Sequence, residues 1–470
     1  MRRSVLEAPK APPVPNIGKL FPLILFRCGG CAWSAFRMSN HKPTFIEALR
    51  FWVKLGFISF GGPAGQISIM HTELVERRKW ISESRFLGAL NYCMLLPGPE
   101  AQQLATYCGW LLHGIWGGIV AGAFFVIPSV FILLGLSWVY AAHGSVPWVA
   151  AIFFGLKPAV MAIVAHAVIR IGKKALKNEI MYALSALAFV AIFFFHLPFP
   201  AIIASAGLLG FAGGRFWPAK FALMKGHAAS GDADSQMEVH PAARIKPTLG
   251  RWLRVLSLCL ALWWTPVLLL GLWQGWESVF VKESVFFSKA AMVTFGGAYA
   301  VLPYVGQAAV EQYGWLQAGQ MLDGLGLAET TPGPLIMVLQ FVGFLGGWDN
   351  AGNLAPWLAG TIGALITTWV TFLPCFLWIF LGAPYVERLR DRAELNSALS
   401  AITAAVVGVV LNLAVWFGLH TVFPEGREVN WFAVVTGGIA FLGLCRWKWG
   451  VMPVVLISAA VGLVYHLVIG

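Results

Sequence analysis

Pro97-Gly98-Pro99 begins thirty-six positions after the first glycine of Phe60-Gly61-Gly62, and Pro332-Gly333-Pro334 begins thirty-six positions after that of Phe295-Gly296-Gly297. Superposed at a constant shift of 235, residues 51–99 and 286–334 agree at thirteen of forty-nine positions without a gap. Apolar composition produces chance matches among Leu, Val and Ala. Most of these matches are instead Gly, Pro, Trp, Glu and Lys, among them Lys54/Lys289, Gly61/Gly296, Glu76/Glu311, Trp80/Trp315 and Pro97/Pro332. A chain that repeats such residues at one period is a duplication, and its fold is built twice. Beyond the second ProGlyPro the shift grows to 246, through an insertion at 349–353, and aligns Pro128 with Pro374; it then reaches 253 and aligns Pro200 with Pro453.

With 58% hydrophobic residues, 11% charged and 22 Trp, the chain has too little polar surface for a soluble globule of 470 residues. It reads as a polytopic protein of the lipid bilayer. The excess of 33 Lys+Arg over 21 Asp+Glu sits in short loops between apolar runs. That is the pattern of cytoplasmic loops and implies no nucleic-acid partner. The seven cysteines lie mostly within apolar segments and suggest no disulfide framework; Cys28 and Cys31 form a CxxC that lacks the other two ligands of a structural zinc site.

Runs able to cross a bilayer, which takes about 20 residues, lie near 114–140, 147–170, 179–196, 199–215, 251–273, 355–382, 396–419, 430–445 and 450–469. The segments flanking each ProGlyPro are shorter: 83–96 and 99–112, then 318–331 and 334–347. At about 1.5 Å per residue such a helix covers roughly 21 Å. Each ProGlyPro is therefore expected at the tip of a re-entrant hairpin inside the membrane. Corresponding loops alternate in charge: Arg77, Arg78 and Lys79 face Gln312, Tyr313 and Gly314, and Lys173, Lys174 and Lys177 face only Arg427 beside two glutamates. Conversely the uncharged 142–146 faces Arg388, Arg390 and Arg392, and the turn at His196 faces Arg446 and Lys448. By the positive-inside rule the copies are inverted. The expected fold is an all-α polytopic membrane protein of two inverted repeats with broken or re-entrant hairpins. Its parts are an N-terminal extension (1–43), a first repeat (44–215), a cytoplasmic linker (216–250), one orientation-inverting helix (251–273) and a second repeat (274–470).

Irregular backbone at membrane depth survives only where it is buried in protein or lines a cavity, and inverted repeats with broken helices are a transporter solution. Proline suits the first turn of a helix, so Pro99 and Pro334 start helices whose positive ends suit an anion. The competing account is a pair of packing kinks. Glu100 has Leu335 as its counterpart; it is either satisfied by the helix dipole or a proton-coupling or gating group. Glu76 and Glu311, matched between the copies, are further candidates for coupling. Lys157, beside Pro158 in the middle of an apolar run, is a candidate anion ligand, with a structural pairing to Glu100 as the alternative. Lys54 and Lys289 recur in both copies, with snorkelling as the competitor. Gln66, Asn91, Gln102 and Gln103 could line the same cavity or join helices. Arg170, four residues after His166 and next to Lys173 and Lys174, reads as an interface anchor. No Walker sequence, dinucleotide fingerprint or HExxH occurs, and no cofactor is implied.

PheGlyGlyPro at 60–63, LeuValGluArgArgLysTrp at 74–80, LeuLeuProGlyProGlu at 95–100, GlyLeuLysProAlaVal at 155–160 and the echo ThrPheGlyGly…ThrThrProGlyPro resemble the chromate ion transporter family in its two-domain bacterial form. The resemblance spans about 44–470. It implies an inner-membrane secondary transporter, not an enzyme, that exports chromate and confers chromate resistance, with sulfate as a competitor; a homodimer is compatible with it. It places the functional emphasis on Gly61, Gly62, Pro63, Pro97, Gly98, Pro99, Glu100 and Lys157; the duplication adds the second tip, Pro332, Gly333 and Pro334, as a candidate. The second copy departs from the pattern at Ala298, where the first has Pro63. An inside-negative potential pushes a dianion outward with about twice the 2.3 kcal/mol per 100 mV that acts on one charge. Two other readings are a carrier of another tetrahedral oxyanion such as sulfate, and a membrane oxyanion reductase using Cys28 and Cys31.

Overall fold

The computed structural model describes residues 43–221, 248–383, 393–424 and 428–469. Contacts divide the chain into Met1–Ser39 and Asn40–Gly470, and all described residues belong to the second unit. Expectations for the N-terminal extension with Cys28 and Cys31, for most of the linker, and for Arg388, Arg390, Arg392 and Arg427 lie outside the described residues.

Among the described residues every regular element is helical. The first copy runs α1 (Phe45–Ile58), α2 (Gly62–His71), α3 (Glu83–Met94), α4 (Glu100–His143), α5 (Pro147–Ala175), α6 (Glu179–Phe193) and α7 (Phe199–Phe216), with a short turn α8 (Pro218–Phe221). After α9 (Leu249–Gln274) come α10 (Val279–Val293), α11 (Ala298–Gln307), α12 (Ala318–Thr330), α13 (Val338–Asp349), α14 (Pro356–Gly382), α15 (Ala393–Val422), α16 (Trp431–Cys445) and α17 (Val451–Ile469). Seven of these, α4, α5, α7, α9, α14, α15 and α17, are long and apolar enough to cross a membrane. The chain is an all-α, multi-pass membrane protein.

The element order repeats, with α4 standing where the second copy has α13 and α14. Its 44 residues do not form one rod. His113 and Gly114 leave helical geometry, Gly114 with φ +63°, and the backbone of Gly109 packs on that of Gly117. In a straight helix residues eight apart are about 12 Å away from each other; here the chain doubles back. In the second copy Gly343 packs on Gly363 and Gly347 on Ala359, across the loop that holds the insertion. Glycines allow this because nothing projects between the two backbones.

Local hydrogen bonds repeat at the same shift of 235. The Ser59 hydroxyl donates to the Leu55 carbonyl at 2.6 Å, and the Thr294 hydroxyl to that of Ala290 at 2.6 Å. Single π-turns follow α2 and α11, at Thr72–Arg77 and Ala308–Gln312. They are closed by Trp80 N–H to Leu74 O and Trp315 N–H to Ala309 O, both 2.8 Å. The copies then exchange partners in the bundle: α5 of the first packs against α16 and α17 of the second, while α15 of the second packs against α6 and α7 of the first. The unpaired α9 lies against α14 and α10, where the Trp263 indole N–H donates to the Ser288 hydroxyl at 2.9 Å.

Candidate functional site

Each ProGlyPro tip is inserted into the other copy. The Gly98 N–H donates to the Thr294 carbonyl at 2.7 Å, and the Gly333 N–H donates to the Ser59 carbonyl at 2.8 Å. Both pairs are related by the same shift of 235, and such reciprocity is the signature of a twofold relation. Gly98 and Gly333 have φ of +123° and +104°, which a side chain resists. Space excludes one as well: a Cβ on Gly98 would lie 2.8 Å from Cys375 Sγ, and one on Gly333 would lie 2.6 Å from Ser129 Cβ. Ser129 and Cys375 are themselves equivalent at the shift of 246, each directly after the proline of a long helix, Pro128 or Pro374.

These contacts set the residue before each PheGlyGly against the other copy's ProGlyPro, so four helix starts are gathered there. α2 begins on the last glycine of its motif, α4, α11 and the turn Leu335–Met337 begin directly after theirs, and none has a side-chain cap. Uncapped first turns leave N–H donors unsatisfied and carry the positive end of the helix dipole. Two glutamines of the first copy fix the tips: Gln66 Nε2 donates to the Gly333 carbonyl at 2.6 Å, and Gln103 Nε2 to that of Pro97 at 2.8 Å. Their counterparts, Val301 and Val338, cannot do this.

Charge converges on the tips from α5. Arg170 lies beside Tyr299, in the first turn of α11, and Glu329, in the last turn of α12, while the Tyr299 hydroxyl donates to Glu329 Oε1. Glu100, half-buried at the first tip, is within electrostatic reach of Lys174. Lys157 belongs to a different cluster. Its Nζ is 3.7 Å from Asp323 Oδ2, which also accepts from the Tyr140 hydroxyl at 2.9 Å. Asp323 and Pro332 are nine residues apart, about 13 Å along α12. The lysine is thus paired with Asp323 and not with Glu100, and it stands away from the tips.

The other sequence candidates divide clearly. Gly61, Gly62, Pro63, Pro97, Gly98, Pro99, Pro332, Gly333, Pro334, Gln66 and Glu100 belong to the interlocked motifs. Lys54, Lys289 and Glu311 are exposed. Glu76 is an exposed partner of His71, which also meets Glu83 at 2.7 Å. Nearby, Glu73 pairs with Arg77 at 2.8 Å and Arg78 at 3.2 Å. Burial is the largest influence on the Glu73 carboxyl and raises its pKa; the two arginines together outweigh it and hold the group below its ordinary 4.5. Sequence reasoning overlooked Asp323 and Glu329, although an acid within a short apolar segment is the same signal that marked Lys157. Tyr140 and Tyr299 gave no signal, and Arg170 was disguised by its basic neighbours.

The sequence model of the Chromate transporter family matches residues 46–211 and again 282–463. The chain belongs to the chromate transporter family. It is 28% identical over 371 residues to the chromate transport protein of Cupriavidus metallidurans, covering 78% of this chain and 82% of that one. It is 30% identical over 419 residues to the chromate transport protein of Pseudomonas aeruginosa, covering 87% and 90%. A shorter relative within reach of this chromate transporter family member, the uncharacterized transporter YwrB of Bacillus subtilis, is 30% identical over 141 residues, 30% of this chain and 71% of that one. No solved structure matches the chain.

Proposed function

We propose that this chromate transporter family member is a secondary carrier that moves chromate, a tetrahedral dianion, outward across the bacterial inner membrane by alternating access, and so confers resistance. The observation that carries the reading is the gathering of four uncapped helix starts at the crossed ProGlyPro tips. Such a place offers N–H donors and partial positive charge to an oxyanion without a dedicated cage. Arg170 supplies the full charge there, and its planar fork suits two oxygens of a tetrahedral anion. Glu329 and Tyr299 hold Arg170 in place, and Glu100 with Lys174 guards the first tip. Lys157 is a second station along α5.

The inverted arrangement is part of the same proposal and is supported by parity. The start of α1 and the break in α4 lie together, with His113 Nε2 3.0 Å from the Pro43 carbonyl, so both hairpins of the first copy begin and end on one side. Counting the shorter apolar helix α6 as a crossing, the rest of α4 with α5, α6 and α7 makes four crossings and returns to that side; α9 makes a fifth, and the second copy starts opposite.

The test is chromate flux in proteoliposomes with an imposed potential. Flux should follow the potential, and Arg170→Gln should reduce it by about 100-fold or more, on the scale of a lost charge-assisted pair of about 3 kcal/mol. Wild-type flux that ignores chromate, or full flux in Arg170→Gln, overturns the reading. Labelling of Ser82→Cys and Gln317→Cys from the two sides tests inversion; labelling of both from one side removes it.

A further inference from the structure

The cluster at the far end of α12 has a feature that a structural ion pair does not need. Asp323 is almost fully buried, yet only one of its oxygens is used: Oδ2 receives both Tyr140 and Lys157, while Oδ1 is buried with no hydrogen-bond partner among the described residues. The contact to Lys157 is long, at 3.7 Å, and the lysine side chain remains about one-third exposed, at 32% against 4% for the aspartate. The acid is thus enclosed and dependent on its partner. The ammonium can turn away.

From this geometry we infer that Asp323 is the proton-coupling residue of the carrier: an oxyanion that takes Lys157 displaces it from Asp323, and the carboxylate takes up one proton in exchange. The inference rests on the chromate-carrier reading above. The step balances as one hydronium from the connected aqueous phase giving its proton to the Asp323 carboxylate, forming the carboxylic acid and water and leaving Lys157 as a full positive charge facing the dianion. Without that proton, a buried carboxylate would lose its counter-charge beside a doubly negative guest, which is strongly unfavourable. The linkage is reciprocal, so protonation strengthens anion binding as much as anion binding strengthens protonation.

The surrounding groups leave Asp323 to these two partners. Tyr140 comes from α4, its ring held between Phe153 and Phe341, and His143 on the same helix packs on Trp138. On α5 the other basic groups, His166, Arg170, Lys173 and Lys174, lie two or more turns beyond Lys157, and Arg170 is engaged by Tyr299 and Glu329. Asp349, at the end of α13, acts through space on Tyr140. From α15 come only Glu394 and His420, near its two ends; from α17, Tyr465 stacks on Phe154 and His466 is exposed. On α12 itself the remaining acid is Glu329.

The test is chromate affinity of the purified full chain between about pH 6 and 9, for wild type, Asp323→Asn and Tyr140→Phe. Chromate's own protonation is common to all three and cancels in the ratios. The wild-type Kd should rise relative to that of Asp323→Asn by up to tenfold per pH unit, the ceiling for one linked proton, and Asp323→Asn should bind at least as tightly as wild type at the alkaline end. Tyr140→Phe, which removes the donor to the ionised carboxylate, should move the loss of affinity to higher pH. Parallel profiles for wild type and Asp323→Asn, or weaker binding by Asp323→Asn throughout, overturn the inference while leaving the carrier reading intact. Should Asp323→Asn fail to fold, a Tyr140→Phe profile superimposable on wild type overturns it equally. Wild type that binds no chromate at any pH overturns the carrier reading and the inference together.

Discussion

The first and second copies share a backbone and differ in how they are filled. In the first, Gly61 is exposed, Gly62, Pro63, Pro97 and Glu100 are half-buried and only Gly98 and Pro99 are buried; at the equivalent positions of the second, Gly296 is half-buried and Gly297, Ala298, Pro332, Gly333, Pro334 and Leu335 are all buried. The backbone and hydroxyl hydrogen bonds of the interlock are nonetheless equal in both, down to Ser59 with Leu55 and Thr294 with Ala290. Duplication therefore preserved the interlock and let the side chains around it diverge. The donors Gln66 and Gln103 come from the first copy, while Tyr299 and Glu329, which hold Arg170, come from the second. In the carrier proposed above, this symmetric frame with asymmetric filling would give an anion one entrance with movable polar groups and one closed wall.

The interlock is where this comparison breaks most easily. Gly333→Ala should be the most damaging change, because φ +104° resists a side chain and its Cβ would meet the Cβ of Ser129, which cannot move without its helix. Strain and overpacking together cost about 2–6 kcal/mol. Gly98→Ala should cost less, since its Cβ meets the flexible ends of Cys375 and Gln103. Thermal unfolding in detergent measures both, and Ser129→Gly should recover part of the Gly333→Ala loss but none of that of Gly98→Ala. Equal losses would mean the two tips are held alike.

A middle-sized effect is expected at Gln66. Gln66→Leu leaves the buried Gly333 carbonyl without its 2.6 Å donor, a loss of about 1–3 kcal/mol, whereas Val301→Leu at the equivalent position should stay within about 1.5 kcal/mol. Unfolding midpoints of the two variants, taken side by side, decide whether the first copy alone carries this bond.

The smallest effect concerns the loops after the π-turns. In the first copy Glu73 joins Arg77 and Arg78, and Arg78 lies over the Phe51 and Trp80 rings at 5.0 and 4.8 Å. In the second, Ala308 replaces the acid, and Tyr313 stacks on Trp315 with ring centroids 4.3 Å apart. Because the folded Glu73 carboxyl titrates below its ordinary 4.5, its contribution is present above that value and is lost as pH falls through the depressed one. Hydrogen exchange should show residues 72–80 loosening on acidification while 307–315 hold; Glu73→Gln should remove the difference. Equal acid sensitivity of both loops would show that the ion pairs contribute nothing to this order.

Much of the fold was legible because its signals are local. Apolar runs longer than a bilayer's width, prolines at helix starts and a period of 235 require no knowledge of neighbours, and the helices fall within a few residues of the runs that marked them. The repeated π-turns were not legible, since they are set by the closing bonds from Trp80 and Trp315. The break in α4 was legible, because the runs 99–112 and 114–140 part at His113, where His113 and Gly114 leave helical geometry; the contact of Gly109 with Gly117 that folds the chain back on itself was not.

For the site, the sequence by itself determined that two ProGlyPro tips exist, that glycine stands at each, and that one copy carries acids and amides the other lacks. Only the tertiary structure decided that each tip enters the opposite copy, that Lys157 is paired with Asp323, and that Arg170 is the cation beside the second tip. The reason is physical. A backbone dihedral preference or a hydrophobic run is written in consecutive residues, whereas the partner of a buried charge is chosen by packing between helices more than a hundred residues apart in the chain.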